Sequence, residues 1–468
     1  MPGTRFLVPL LAFLVLAPGP SVAAPPGPDA LAARVRTLLE ALVAADTENP
    51  PGNEARAVAV GAERLRAEGI PFEIFEFAPG RSNLVVRIKG DGTEKPLLLL
   101  AHIDVVPTAG QPWTVPAHQV TVKGDRLYGR GVYDDLSMAA AELEVAILLA
   151  KARVPLRRDV IVAWTGGEET VGDGIRWQLA NHPGAIVDAG LVLNEGGNFR
   201  LGPDEKPSRA GFLVAEKGYQ DFAVRVKGAG GHSSAPRPGN AIVRLARALD
   251  RIDRSPFPPK LVPAARTWFG EAARSETGAI ADAMNAIASS KETVPPDAIA
   301  SLAGRPAVVA LLRTTCVPTQ VSGGTSRNVL PASASANVNC RILPGETTED
   351  VQKALARVVA DPEVEIVPDG KSTTSSDSPL EGEGPSAIRA VMARRYPGLP
   401  LLPFLANYFT DSTFLRPLGI PAYGLGLFPV TDEDALGMHG PDERLLIPSI
   451  REGAETLYEL VLELAARR

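Results

Sequence analysis

The stretch LLLLAHIDVV, residues 97–106, decides the fold class. Five apolar residues precede His102, and Asp104 follows two positions later. An apolar run without alternation is typical of a strand that is buried on both faces, as strands of parallel sheets are. In α/β proteins, ligands bind at the carboxyl ends of such strands. The stretch therefore predicts an α/β protein with polar, metal-binding residue types at a strand end.

Other apolar runs of the same kind alternate with helical sequence. They read NLVVRIKG (83–90), DVIVAWTGG (159–167) and AGLVLNEGG (189–197). Residues 134–155 lie between the central runs and have the composition of a helix, with acidic residues at the start and basic residues at the end. The helix macrodipole favours this arrangement of charge. The alternation predicts a mostly parallel sheet with helices on both faces.

The pattern changes after about residue 212. Within 213–372, several stretches alternate apolar and polar residues, which indicates antiparallel strands with one exposed face. We predict that 213–372 is a smaller α+β domain inserted into a larger α/β domain formed by 24–212 and 373–468. A chain of 468 residues is long enough for two domains.

The first 23 residues differ in composition from the rest. Arg5 precedes the apolar run 6–17, and small residues follow it. This run is shorter than the roughly 20 apolar residues that a membrane-spanning helix needs, so we predict a signal peptide, residues 1–23, that is cleaved. The protein is then exported to the periplasm or the extracellular space, without a membrane attachment after cleavage.

Composition excludes one class of partner. The formal net charge is −6, with 45% hydrophobic and 22% charged residues, and no basic region indicates nucleic-acid binding. Cys316 and Cys340, the two cysteines of the chain, lie in strand-like sequence around a turn. An oxidising compartment permits a disulfide between them, and free buried thiols are an equal alternative.

Four predicted strands of the parallel sheet, among them LYGRGVYDD (127–135), end in residue types that bind metal ions. These residues are His102, Asp104, Asp134, Asp135, Glu168, Glu169 and Glu195. Because the carboxyl ends of parallel strands share one edge, the side chains are expected to converge, and so many acids repel each other unless cations neutralise them. Imidazole with carboxylate suits zinc, with cobalt or manganese as alternatives. The number of ligands exceeds one tetrahedral site and predicts two metal ions with a bridging carboxylate.

The motifs, taken in order, resemble those of a known family. They are LLLLAHIDVVP, LYGRGVYDD, TGGEE, LNEGG, GAGGHSSAP, SRNVLPASASANVNCRILPG and MHGPDERL. Together they are similar to the dinuclear zinc aminoacylase/carboxypeptidase family, which includes glutamate carboxypeptidase, succinyl-diaminopimelate desuccinylase, aminoacylase and the carboxypeptidase S group. The resemblance runs from about residue 83 to 465.

The resemblance implies a set of metal ligands. His102 and Glu195 would hold one zinc ion, Glu169 and His439 the other, and Asp134 would bridge the two. The sequence departs from the family directly after the two aspartates, where Leu-Ser stands in place of the usual Lys-Gly.

The resemblance also implies roles for residues around the metals. Asp104 would orient the first histidine, and Glu168 would be the general base. The inserted domain would be a lid that also forms a homodimer, with His232 reaching the partner subunit's active site. Asn328 and Arg341 would bind substrate, the arginine through a carboxylate, which suits a planar guanidinium. Residues 407–415, NYFTDSTFL, match the family's substrate turn loosely.

These observations predict an exported metallohydrolase that cleaves an amide bond next to a free carboxylate. The substrate is a small peptide, as for a carboxypeptidase, or an N-acyl amino acid, as for an aminoacylase. A metal-binding protein without catalytic activity is a third alternative from a different class.

Overall fold

The computed structural model describes residues 28–291, 293–374 and 376–467. The predicted signal peptide, residues 1–23, lies outside the described residues. Within the described ranges, none of the helices has the length and apolar character needed to cross a bilayer.

Fourteen α-helices are found in the described residues. They are α1 Pro28–Ala44, α2 Ala55–Glu68, α3 Leu136–Ala152, α4 Asp173–Asn181, α5 Ala241–Asp253, α6 Pro263–Ala272, α7 Gly278–Ser289, α8 Pro296–Ser301, α9 Pro306–Ala310, α10 Thr348–Val359, α11 Glu383–Arg395, α12 Ser412–Leu415, α13 Asp432–Ala435 and α14 Ile447–Ala465.

The same residues form eighteen strands. They are β1 Phe72–Ala78, β2 Arg81–Ile88, β3 Leu97–His102, β4 Thr121–Lys123, β5 Arg126–Tyr128, β6 Val160–Thr165, β7 Leu191–Asn194, β8 Asn198–Leu201, β9 Pro207–Glu216, β10 Gly218–Lys227, β11 Gly231–His232, β12 Thr315–Gly323, β13 Val329–Leu330, β14 Ser333–Ile342, β15 Val364–Asp369, β16 Leu401–Ala406, β17 Ala422–Gly424 and β18 Arg444–Leu446.

The main sheet has the order β1-β2-β6-β3-β7-β17-β9-β16, with β8 beside β9. Its centre, β6-β3-β7-β17, is parallel, and antiparallel pairs join it to the flanking strands. The prediction of an α/β fold with a mostly parallel central sheet is confirmed.

The apolar character of β3 follows from burial on both faces. Every residue of β3 and β6 is buried. Leu97 and Leu99 join a large core with α1, α3 and α14, whereas Leu98 and Leu100 join a second core on the opposite face. Alternate residues therefore point into two different cores, and the sequence shows no polar alternation.

The second sheet has the order β12-β14-β10-β15 and is antiparallel throughout. Helices α5 and α10 pack on one face and form a separate core with it. We call this sheet with its two helices the lid. Cys316 of β12 and Cys340 of β14 are directly paired and joined by a disulfide.

The structure differs from the predicted inserted domain in two places. Strand β9 continues past residue 212, because Leu213 and its apolar neighbours pair with β16 in the main sheet. Helices α6 to α9 follow the lid helix α5 in sequence, but Phe269 and Met284 from this segment belong to the large core of the main sheet. Their apolar faces meet β16 and each other instead of the lid, so only part of 213–372 shares the lid core.

Candidate metal centre

Three neighbouring strands bring acidic and imidazole side chains to one edge of the main sheet. Strand β3 ends at His102, Glu168 follows β6, and Glu195 follows β7. Because β6, β3 and β7 are adjacent and parallel, their carboxyl ends lie side by side. Gly167 adopts a left-handed φ of 76° after β6, which turns the chain so that Glu168 enters the site.

Asp134 reaches the site by a different route from the one predicted. The strand before it, β5, belongs to a small sheet with β4 and β18, and Asp134 lies in the turn that leads into α3. The prediction that its segment is a strand of the main sheet is therefore wrong. Strand β5 pairs with β4 and β18 and has three residues, because a turn at 124–125 precedes it and a bend and turns at 129–135 follow it.

Of the four groups of side chains in the described residues that could hold a metal ion, two share Asp134. The first group is His102, Asp134 and Glu195, and the second is Asp134, Glu169 and His439. Within each group, the ligand atoms lie within 4.8 Å of one another. The two carboxylate oxygens of Asp134 face different histidines: Oδ1 lies 3.1 Å from His102 Nε2, and Oδ2 lies 3.0 Å from His439 Nε2. This is the arrangement expected of a carboxylate that bridges two ions.

His102 is held so that Nε2 faces the site. Its Nδ1 lies 2.9 Å from the backbone carbonyl oxygen of Asp104 and 3.6 Å from the Asp104 carboxylate. That carboxylate accepts hydrogen bonds from the backbone N–H groups of Glu168 and Glu169, at 3.1 and 3.2 Å, and from Asn49 at 2.8 Å. Asp104 therefore fixes the imidazole and also the turn that carries both glutamates.

The electrostatics of the site show crowded negative charge. Burial raises the pKa of Glu168 well above its ordinary value against the opposing effect of His102, and Glu195 and Glu169 add to the rise. Burial likewise raises the pKa of Glu195 well above its ordinary value. Hydrogen bonds to Asp134 and Glu169 raise the pKa of His439 to about 10. In the absence of cations, the raised pKa values mean that the glutamates hold protons more readily, which reduces the negative charge of the site.

The donor set fits divalent cations. Carboxylate oxygens and imidazole nitrogens are zinc ligands, and a cation placed between them would offset both the burial of the carboxylates and their mutual repulsion, which raise the pKa values of the glutamates. Two ions would each have three ligands and keep open positions for water or substrate, which is the pattern of catalytic sites.

The predicted ligands line a cavity of about 630 Å³. Arg341, from the lid strand β14, also lines this cavity and lies over the ring of Tyr219 at 4.7 Å. The guanidinium therefore faces the same space as the predicted metal ligands. Much of the remaining wall is apolar: it includes Phe404, Phe409, Leu425, Leu427 and Phe428.

His232 and Asn328 do not line this cavity. Both are exposed: His232 lies in β11, which pairs with β13 in a separate two-stranded sheet, and the Asn328 carbonyl oxygen accepts a hydrogen bond from the backbone N–H of Ser233. The backbone N–H of Ser234 donates to His232 Nδ1 at 3.1 Å, which leaves Nε2 free to face outward. Within the chain, the structure does not bring these two residues to the predicted metal ligands.

Sequence reasoning missed several polar residues beneath the site. Glu443 is fully buried and contacts the Asp134 turn, and Asn49 binds Asp104. Asp411 is buried in the segment 407–415 and accepts a hydrogen bond from Thr165 at the end of β6, at 2.6 Å. Burial raises the pKa of Asp411 to about 7. Their burial was hard to predict from the sequence, since an acidic residue in a loop usually faces solvent.

A model of the peptidase family M20/M25/M40 matches residues 98–463. Among curated proteins, the human N-fatty-acyl-amino acid synthase/hydrolase PM20D1 is 28% identical over 378 residues, covering 79% of this chain and 74% of that protein. The probable carboxypeptidase S-like 2 of Dictyostelium discoideum is 29% identical over 395 residues, covering 81% of this chain and 74% of that protein.

Two solved structures show the same fold. The M20 family metallo-carboxypeptidase Sso-CP2 from Sulfolobus solfataricus has a TM-score of 0.70 at 19% identity, covering 92% of this chain and 98% of that chain. A dinuclear metal binding peptidase of the M20 family from Bacillus subtilis has a TM-score of 0.59 at 16% identity, covering 93% of this chain and 98% of that chain. At these identities, the likeness bears on the fold alone.

Proposed function

The chain belongs to the peptidase family M20/M25/M40 and is a metal-dependent hydrolase, and we propose that it is an exported dinuclear zinc enzyme that cleaves an amide bond next to a free carboxylate. The family resemblance read from the motifs is confirmed by the family match. The observation that carries the proposal is the cavity shared by two metal-ligand groups and the lid residue Arg341.

In this proposal, His102 and Glu195 hold one ion, Glu169 and His439 hold the other, and Asp134 bridges them. Zinc suits these ligands, with cobalt or manganese as alternatives. When bound, the ions would polarise the scissile carbonyl and lower the pKa of a water molecule.

The residues of the chain supply proton transfer and orientation. Glu168 takes a proton from the attacking water and delivers it to the leaving nitrogen. Asp104 keeps His102 and the turn of Glu168 in place through the contacts described above. His232 of the partner subunit donates a hydrogen bond to the oxyanion.

The substrate side of the cavity supports a small ligand with one carboxylate and one apolar group. Arg341 supplies a fork of N–H donors for the carboxylate. Phe404, Leu427 and Phe428 supply an apolar surface for a side chain or an acyl group. Peptides and N-acyl amino acids both meet this description, and the related proteins carry names of both kinds.

We expect Arg341→Ala to raise KM for a substrate with a free carboxylate by about tenfold to a hundredfold, because hydrogen bonds to a charged group are worth about 1.5–3 kcal/mol. Steady-state kinetics on an N-acyl amino acid, a dipeptide and the carboxamide of each would measure the effect. Wild-type turnover of the two free acids would also rank the aminoacylase against the carboxypeptidase alternative.

The carboxamides are the internal control, since they lack the charge that Arg341 binds. Wild type and Arg341→Ala should hydrolyse them equally slowly, and Arg341→Lys should recover part of the affinity for the free acids. Equal kinetics of wild type and Arg341→Ala on the free acids would refute the assigned carboxylate site.

Two features support export. Residues 1–23 have the composition of a signal peptide. Cys316 and Cys340 form a disulfide. Disulfides persist in oxidising compartments and are rare in the cytosol.

The lid edge supports a homodimer. Strand β12 is an edge strand of the lid sheet, and its Val317 and Val321 are 57% and 73% exposed. Ile242 and Val243 of the adjacent helix α5 are 45% and 46% exposed. An edge strand with exposed apolar residues favours pairing with another chain, and a two-fold axis would place the same surface on both subunits.

We expect Val321→Asp to convert the dimer to a monomer and to lower kcat by about 10²–10³, because an oxyanion donor from the partner subunit is then lost. Light scattering and turnover would be measured together. Val122→Asp is the matched control, since Val122 is 48% exposed on a strand of the small sheet; it should stay dimeric and active.

Mixing inactive subunits tests whether His232 acts across the dimer. Heterodimers of His232→Ala and Glu168→Ala subunits would contain one site with both residues intact and should regain activity. Recovery would support the proposed contribution in trans, and an active Val321→Asp monomer would contradict it.

A further inference from the structure

Two metal ligands that are distant in sequence, Asp134 and His439, are tied together beneath the site. The link begins at Glu443, whose carboxylate is fully buried. Its Oε1 accepts hydrogen bonds from the backbone N–H groups of Tyr133 at 2.9 Å and Asp134 at 3.0 Å. Its Oε2 accepts from Arg130 Nη1 at 2.6 Å and from the backbone N–H of Gly131 at 3.1 Å. One carboxylate therefore fixes the whole turn that presents Asp134.

The other half of the link reaches His439. Arg130 lies over the ring of Trp113 at 5.1 Å, and its Nη2 donates to Gln111 Oε1 at 2.9 Å and to the Gly440 carbonyl at 3.1 Å. Gln111 Nε2 in turn donates to the backbone carbonyl of His439 at 2.9 Å. The side chain of His439 is 49% exposed, so packing holds it weakly and the hydrogen bonds to its backbone matter more.

We propose that Glu443 and Arg130 are positioning residues that set the distance between the ligands Asp134 and His439, and thereby the affinity of the ion that these two share with Glu169. The inference rests on the metal-ligand roles proposed above. It goes beyond them, because neither Glu443 nor Arg130 touches the space for the ions.

A contribution to folding stability alone does not explain the buried ion pair between Arg130 and Glu443. A buried pair loses hydration, and well-packed apolar residues of similar size are often as stabilising. Here, however, the carboxylate accepts backbone hydrogen bonds from the turn that carries one ligand, and the guanidinium contacts the segment that carries the other. Partners of metal ligands typically change metal affinity by about tenfold to a hundredfold when they are mutated.

Glu443→Gln tests the proposal on the full-length protein. The amide nitrogen of glutamine cannot accept the backbone N–H bonds that one carboxylate oxygen accepts, although size and shape are kept. We expect at least tenfold weaker binding of the Zn²⁺ or Co²⁺ ion that Asp134 shares with Glu169 and His439. The loss should be smaller for the second ion, because its other ligands, His102 and Glu195, are not held by Glu443. Chelator competition and the absorption spectrum of the Co²⁺ form would measure this without relying on activity.

Asp434→Asn is the matched control for the loss of a buried ion pair. Asp434 is 1% exposed, and its carboxylate accepts hydrogen bonds from Arg126, Arg444 and the Thr431 hydroxyl, in the same C-terminal segment as Glu443. It does not contact the Asp134 turn. The variant should lower the Tm of the metal-free protein and leave both metal affinities at the wild-type value.

Gln111→Ala is a milder second variant, since Gln111 is only partly buried and its loss leaves the Arg130–Glu443 pair in place. It removes the bond to His439 and should weaken the same ion several-fold. It keeps the test decisive if Glu443→Gln does not fold.

The outcomes are distinguishable. If both variants bind two ions with wild-type affinity, the proposal is overturned while the metal-ligand roles stand. If the wild-type protein itself binds no pair of divalent ions, the proposed ligand roles fail, and the positioning role fails with them.

Discussion

Replacing Glu168 by alanine is expected to lower kcat by about 10²–10⁴ while the metal content stays at the wild-type level, because general acid–base catalysis typically contributes this factor. Glu168 lines the same cavity as the proposed ligands Glu169 and Glu195, and burial keeps its pKa well above the ordinary value. The backbone N–H bonds from residues 168 and 169 to Asp104 do not involve the removed side chain. The proposed ligand Glu169 should therefore stay in place. Metal analysis and steady-state kinetics on the same sample would check both parts.

Glu142→Gln is a suitable control for this experiment. Glu142 is also a fully buried acid whose pKa burial raises well above its ordinary value, but it lies on α3 and does not line the cavity. It should keep turnover near the wild-type value. Near-normal activity of Glu168→Ala would refute the assignment as base. Loss of metal together with activity would instead make Glu168 a ligand, a role that its proximity to His102 and Glu169 allows.

Much of the fold could be predicted from the sequence, because a strand that is buried on both faces of the sheet has a continuous run of apolar residues. In LLLLAHIDVV, alternate leucines enter two cores, so the whole strand is apolar and its position in the sheet centre follows. The sequence of the helical segment from 263 to 310 does not indicate in the same way which core it joins. Its apolar residues have helical spacing that suits any core, and they pack on the main sheet instead of the adjacent lid.

The part of the candidate site that lies at strand ends could be predicted from the sequence. His102, Glu168 and Glu195 lie at or just after the ends of three neighbouring strands, and the sheet topology brings them together. The turn of Asp134 and the position of His439 depend on contacts across more than 300 residues of sequence, such as the bond from Arg130 to Glu443. Only the family resemblance assigned His439, and neither periodicity nor resemblance pointed to Glu443.

Replacing Asp134 by alanine is expected to abolish binding of both ions and to reduce hydrolysis to background. Asp134 is the residue shared by the two ligand groups, and each of its oxygens faces a different histidine. Its loss should therefore affect both ions at once, whereas His439→Ala should release one ion first. Chelator competition and metal analysis after dialysis would measure the stoichiometry of each variant.

Thermal unfolding gives an independent test of the same variant. An ion present at a thousand times its Kd stabilises the folded state by about 4 kcal/mol, so zinc should raise the Tm of wild type and a chelator should lower it. The Tm of Asp134→Ala should respond to neither, whereas Asp434→Asn, with a lower starting Tm, should respond as wild type does. If Asp134→Ala still bound two ions and gained the wild-type shift in Tm, Asp134 would not be the bridge, and another carboxylate of the cavity would have to join the two groups.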